Sequence, residues 1–126
     1  MQLLLFNHPI SELSVQLVKG TIEPGELPEV AALRELEEES GISKAAIDFE
    51  IGELSFPTFD QHWHLYKINY QHDLPERWEY FADEEGGLLF SFFWQDLDKS
   101  IDNPGYSLFE AARQFIKHHL YKKELV

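Results

Sequence analysis

Apolar and polar positions change period several times along the chain, and each change marks an element. Gln2 to Phe6 is a short apolar run that reads as a strand, Asn7 to Pro9 carry turn residues, and Ser14 to Val18 alternate as a second strand. The stretch from Gly20 to Glu26 then reads as a loop. Helix formers take over in PEVAALRELEEES, Pro28 to Ser40. Proline stands in the first turn, where a missing N–H breaks no helical bond, and Gly41 follows as a C′ residue. This is the strongest helix signal in the sequence.

Period-two patterns return over Ile47 to Phe56 and His62 to Tyr70, with Pro57 and Asp60 as turn residues between them. Leu74 to Phe81 fits neither template cleanly. Gly86 and Gly87 precede LLFSFFW, Leu88 to Trp94, and so many large apolar residues predict a strand buried on both faces. Asn103, Pro104 and Gly105 break the chain. Ser107 can then cap a last helix to about Lys122, whose stripe of Leu108, Ala111, Ala112, Phe115, Ile116 and Leu120 has helical spacing. No repeat, linker or low-complexity segment appears, and 126 residues are expected to form one domain, 1–126.

A hydrophobic share of 44% and an aromatic share of 14% exclude a disordered chain. With no cysteine, disulfides, thiolate metal sites and cysteine nucleophiles are excluded as well, so any metal must sit on oxygen or nitrogen. Met1 to Phe6 contain no basic leader, and no apolar run approaches ~18 residues, which leads to the expectation of a cytoplasmic protein with no membrane partner. A net charge of −13 repels polyanions, so nucleic acid is not an expected partner. A small phosphorylated substrate stays compatible with that charge if divalent cations on clustered carboxylates invert the local field.

The first helix offers such a cluster. At ~100° per residue, Glu35, Glu38 and Glu39 fall within one arc, Glu37 points almost the opposite way, and Ala31 leaves room one turn earlier. Each like-charged pair costs the helix ~0.2–0.5 kcal/mol, and hard divalent cations with oxygen ligands are the natural compensation. Taken alone, a run of carboxylates is more often a solvated helix face. The flanking residues change that balance. Gly20 is followed after five residues by Glu26, and Glu26 after seven by Arg34-Glu35-Leu36-Glu37-Glu38-Glu39-Ser40-Gly41-Ile42. This resembles a complete Nudix box, with seven fixed residues and aliphatic Leu36 and Ile42 in place. Such a match arises by chance on the order of once in a million chains of this composition.

The resemblance implies an α/β/α sandwich of Nudix type with a mixed β-sheet. It also implies hydrolysis of a diphosphate linkage in a nucleoside diphosphate derivative, with Mg²⁺ or Mn²⁺ neutralising phosphate charge and activating a water. Residue by residue, Glu35, Glu38 and Glu39 match the family's metal-binding carboxylates, and Gly20 the glycine whose carbonyl completes the shell. Arg34 and Glu26 match the pair that orients the catalytic helix, and a guanidinium beside the carboxylate arc can hold one rotamer bidentately. Many members of the family recruit a further acidic residue well after the box, as base or extra ligand, for which Glu84 and Glu85 are the leading candidates, with Asp83 and Glu79 behind them.

Two departures stand out. Nothing corresponds to the strand that commonly precedes Gln2 to Phe6, so the sheet is expected to lack its first strand and to offer an unprotected edge for a homodimer. Val18 stands where a proline is frequent. Weaker signals are His62 and His64, which share a strand face but want a third ligand, and the aromatics Trp63, Trp78, Tyr80, Phe81 and Trp94, which can stack on a base or simply fill a core. Pro57 lies where ADP-ribose-cleaving relatives tend to carry a proline, though a turn alone explains it. The competing function class is a Nudix-like binding module without turnover, against which the intact carboxylates argue.

Overall fold

The computed structural model describes residues 1–10, 15–71, 73–83, 86–102 and 108–124, with side chains to 120. Its elements are β1 (Gln2–Asn7), β2 (Val15–Leu17), α1 (Pro28–Ser40), β3 (Ala45–Phe56), β4 (Gln61–Tyr70), β5 (Arg77–Ala82), β6 (Leu88–Asp96) and α2 (Leu108–Glu124). A single turn of 3₁₀-helix, Pro57–Phe59, joins β3 to β4 and ends in Asp60 at φ 51°. The ambiguous stretch Leu74 to Phe81 is a strand, β5, from Arg77 on. Ser107 and the whole predicted turn, Asn103 to Gly105, lie outside the described residues, as do Glu84 and Glu85.

Four strands form one sheet in the order β2-β1-β6-β5, and β3 pairs with β4 in a second sheet. Every ladder among the described residues is antiparallel, so the mixed sheet that the resemblance implied is not what the strands form here. The β1 strand is also not at an edge. Its whole length pairs with β6, and Leu5 to Asn7 pair with β2 on the other side. Gln2 to Leu4, beyond the reach of the three-residue β2, line a cleft of about 1170 Å³ that β4, α1 and α2 also border. Among the described residues, the edge on which a homodimer was expected is thus shortened to Gln2 to Leu4.

Alternation along β1 divides the core. Phe6 packs with Phe90, Phe92, Leu88 and Ala82 on one face, joined by Leu4, Trp78 and Tyr80. Leu5 packs on the other face with Ile101 and Phe109, and Ile51 and Leu97 meet Ile116 and Leu120 of α2. The helices thus lie on opposite sides of the strands, α1 against β5 and α2 against β3, which is the α/β/α layering. Burying one of these rings fully contributes about 1.5–3 kcal/mol. The β6 strand, predicted to be buried on both faces, alternates instead: Phe90 is fully buried while Leu89 is 47% exposed. Antiparallel sheets tolerate one open face, and α2 covers β6 near Phe93 and Leu97 without reaching Leu89.

One polar clamp fixes α2. Arg113 is buried, donates two hydrogen bonds to Glu110 at 2.7 Å each, and gives a third to the Leu97 carbonyl at 2.8 Å. Glu110 also accepts the Ile101 backbone N–H, so the connection leaving β6 is tied to the first turn of the helix. The Arg113 guanidinium holds the Glu110 carboxyl down at about 2.

Candidate functional site

The segment from Gly20 to Ile42 is a loop, a helix and a second loop; the start of the helix is fixed by the loop just before it, and its end also by residues distant in sequence. At the start, Glu23 and Glu26 close a turn around Gly25 (φ 79°): the Glu26 N–H donates to the Glu23 carbonyl, and the Glu23 N–H donates to the Glu26 carboxylate. Pro28 opens α1 and no side chain caps it. At the end, Gly41 takes the left-handed conformation at φ 81° and donates to the Glu37 carbonyl. Its missing Cβ matters twice, since a methyl there would also stand 2.6 Å from the Tyr80 ring. Ser40 is buried and turns its hydroxyl back to Leu36, while Trp78 Nε1 donates to the Ser40 carbonyl at 3.1 Å. Trp78 is itself stacked on Phe92, with centroids 5.1 Å apart. Trp78 and Tyr80 of β5 therefore brace the helix end and pack against the core, whereas Phe81 is exposed.

Arg34 is the hub of the site. Nε and Nη2 donate to the two Glu26 oxygens at 2.8 and 2.9 Å, a bidentate fork. Nη1 donates to Glu35 Oε1 at 2.9 Å and to Glu38 Oε2 at 3.1 Å, and Nη2 also reaches the Thr21 carbonyl. One guanidinium thus joins the loop to two carboxylates of the helix. The Arg34 guanidinium holds the Glu26 carboxyl at about 2, so Glu26 stays ionised across any physiological pH, and Arg34 is held more firmly protonated in return. Gly20 lies directly against Glu35: a Cβ on residue 20 would fall 1.9 Å from Glu35 Cδ. Glu39 is buried on the sheet side of the helix, whereas Glu38 is more than half exposed. Glu37 is exposed and makes its contact with Gly41 through its backbone.

The structure thus brings Gly20, Glu26, Arg34, Glu35 and Glu38 into one connected set, with Glu39 on the same helix. Gly20 and Glu35 line the cleft together with Leu36 and Ile42. The candidate ligands of the set are carboxylate and carbonyl oxygens, the chemistry that suits a hard cation such as Mg²⁺ or Mn²⁺, and glycine at position 20 leaves room for a carboxylate beside the backbone; among the described residues, however, no three of these carboxylates bring their oxygens within 4.8 Å of one another. Asp83 and Glu79 are exposed. His62 and His64 do have the third partner that the sequence did not reveal. Glu53 Oε1 is 3.0 Å from His62 Nε2 and 3.5 Å from His64 Nδ1. The three side chains have their ligand atoms within 4.8 Å of one another, the one such group among the described residues. The His62 imidazole beside it holds the Glu53 carboxyl below the usual carboxylate range.

Comparison with known proteins agrees with the loop-helix-loop reading. No curated protein and no solved structure matches the chain. The family model of the NUDIX domain matches residues 1–115, nearly the whole length, and includes every element from β1 to the middle of α2. The chain belongs to the Nudix family, whose members hydrolyse nucleoside diphosphate derivatives.

Proposed function

We propose that this chain is a pyrophosphohydrolase that uses Mg²⁺ or Mn²⁺ to cut the diphosphate linkage of a small nucleoside diphosphate derivative, such as a nucleoside triphosphate or a nucleotide sugar. The observation that carries the reading is the Arg34 hub, which ties Glu26 to Glu35 and Glu38 with four charge-assisted hydrogen bonds between 2.8 and 3.1 Å. A surface helix with no task gains little from holding two of its own carboxylates on one guanidinium, because exposed ion pairs contribute only about 0–1 kcal/mol. Fixed orientation, by contrast, is what a site for metal and phosphate requires.

In this reading Glu35, Glu38 and Glu39, with the Gly20 carbonyl, would hold the cation, which when bound would supply neutralisation of phosphate charge and a lowered pKa for a water. Glu26 and Arg34 are positioning residues that keep the Glu35 and Glu38 rotamers ready before substrate arrives. Glu84 or Glu85 accepts the proton of the attacking water. The base and sugar of the substrate enter the cleft, whose walls mix apolar residues such as Leu4 and Leu36 with His62 and Tyr66.

The test is a panel of nucleoside diphosphate derivatives incubated with purified protein and Mg²⁺ or Mn²⁺, reading released phosphate or nucleotide. Metal-dependent turnover of one class, abolished in Glu38→Gln and Glu39→Gln, supports the proposal. Tight binding of such compounds with no turnover under either metal would instead identify a nucleotide-binding module.

A further inference from the structure

We infer that Glu53, His62 and His64 form a second metal site, on the β3–β4 sheet, which takes a borderline transition ion of the Zn²⁺ type. Strand geometry builds it. His62 and His64 are two apart on β4 and face the same way, while Glu53 stands directly opposite His64 in the ladder and Ser55 opposite His62. Glu53 is therefore the cross-strand neighbour of one histidine and the diagonal neighbour of the other.

The carboxylate reaches that face through a β-bulge. Glu50 pairs with Tyr66, and Gly52 with Leu65, so two steps on β3 match one on β4 and Ile51 is the extra residue. Ile51 and Gly52 both turn toward α2: Ile51 is buried with Ile116 and Leu120, and a Cβ on Gly52 would meet the Phe115 ring at 2.9 Å. In an unbroken strand Glu53 would share the face of Ile51 and point at the α2 core. The bulge sends it to the other face, where it meets both histidines. Bulges are a recurrent means of re-aiming a side chain at a site.

The distances suit a metal. Bonds of ~2.0–2.1 Å from Zn²⁺ to nitrogen and oxygen place tetrahedral ligands about 3.3 Å apart. The two separations from Glu53 Oε1, 3.0 and 3.5 Å, bracket that value. Glu50 Oε1 lies 3.5 Å from His64 Nδ1 and adds a carboxylate beside the trio. Two imidazoles and a carboxylate select Zn²⁺, Co²⁺ or Ni²⁺ over Mg²⁺, which prefers oxygen alone. His62 and His64 line the cleft, so ligand positions that the protein does not fill are open to water or to an anionic group entering it. The inference stands apart from the hydrolase reading, because it uses none of the α1 carboxylates.

Metal-free protein is titrated with Zn²⁺ by calorimetry and with Co²⁺ by visible absorption, both in excess Mg²⁺. One equivalent of each is expected, with the intense band of four- or five-coordinate Co²⁺, and it persists in a Glu35→Gln/Glu39→Gln double variant. His62→Gln and His64→Gln each weaken that equivalent by at least about 10-fold. The half-exposed His62 decides the matter if the His64 variant has a lowered melting temperature without metal. No Zn²⁺ uptake, uptake unchanged in both histidine variants, or uptake lost with the α1 carboxylates would each overturn the assignment.

Discussion

Replacing Gly20 with alanine separates the requirements of the site from those of the fold. The new methyl would lie 1.9 Å from Glu35 Cδ and 2.3 Å from Glu35 Oε1, whereas an ordinary contact begins near 3.4 Å. The Glu35 carboxylate must therefore retreat by about 1–1.5 Å. It can do so, because it is the end of a flexible side chain, but it then leaves its 2.9 Å bond to Arg34. The lost hydrogen bond costs about 0.5–1.5 kcal/mol, and replacing glycine by alanine returns about 0.4–1 kcal/mol through the unfolded chain, so the melting temperature should move by only a few degrees. Function responds differently, since a displacement of about 1 Å in a reacting constellation costs on the order of 10²-fold in rate. The assay is kcat with Mn²⁺ on the best substrate of the panel, together with Mn²⁺ affinity by calorimetry and thermal melting. Activity and Mn²⁺ affinity both within about 3-fold of the parent protein would show that Glu35 does not need its place. A large fall in melting temperature would show that Gly20 is required by the loop and not by the carboxylate.

Glu39→Gln is expected to lower turnover by about 10²-fold or more at unchanged far-ultraviolet circular dichroism; preserved turnover would remove Glu39 from the site. Glu38→Gln should do the same and shift stability by no more than about 1 kcal/mol, since its pair with Arg34 is exposed. Glu110→Gln acts on the fold alone. The Glu110 carboxyl falls from 4.5 to about 2 on folding, so its contribution, about 3 kcal/mol, is complete above pH 4.5 and disappears as pH drops toward 2. Urea titrations should show the variant weaker than the parent at pH 7 and equal to it near pH 2, and a constant gap across that range would contradict the assignment. Trp78→Phe keeps the stacking on Phe92 but removes the donor to Ser40, and should cost about 1 kcal/mol while speeding hydrogen exchange of the Gly41 and Ile42 amides. Unchanged exchange there would show that β5 does not brace the helix end.

The α1 helix was legible in the sequence to the residue, because proline at one end and a left-handed glycine at the other are local devices that need no partner. The Arg34 to Glu26 pairing was legible through the box, since both residues lie within one loop-helix unit. What escaped depends on contacts made after distant segments meet. Trp78 grips Ser40 across 38 positions, and nothing in either neighbourhood marks the pair. Glu53 escaped because a period-two reading puts it on the face of Ile51, and the bulge that reverses it leaves no trace beyond a glycine in a strand. The place of β1 escaped for the same reason: an apolar strand looks alike at the edge and in the middle of a sheet.

That inner position of β1 has a consequence in time. Gln2 pairs with Asp96, so β1 must wait for β6, made much later, before its main ladder can close. Ribosomes add roughly 5–20 residues per second, which leaves Leu3 to Phe6 without β6 for roughly 5–20 s, with only the three-residue β2 to pair with in the meantime. Contacts this far apart in sequence also slow folding after release, because a long loop must close before the ladder stabilises the chain. The helix and loop around Arg34 are complete by residue 42, yet Trp78 and Tyr80, which hold the helix end, join the same sheet through β6. Newly made chains should therefore spend their most aggregation-prone interval with an apolar N-terminal strand exposed. Yield in cells should respond more to mutations in Leu3 to Phe6 and in β6 than to any change in the carboxylates of α1.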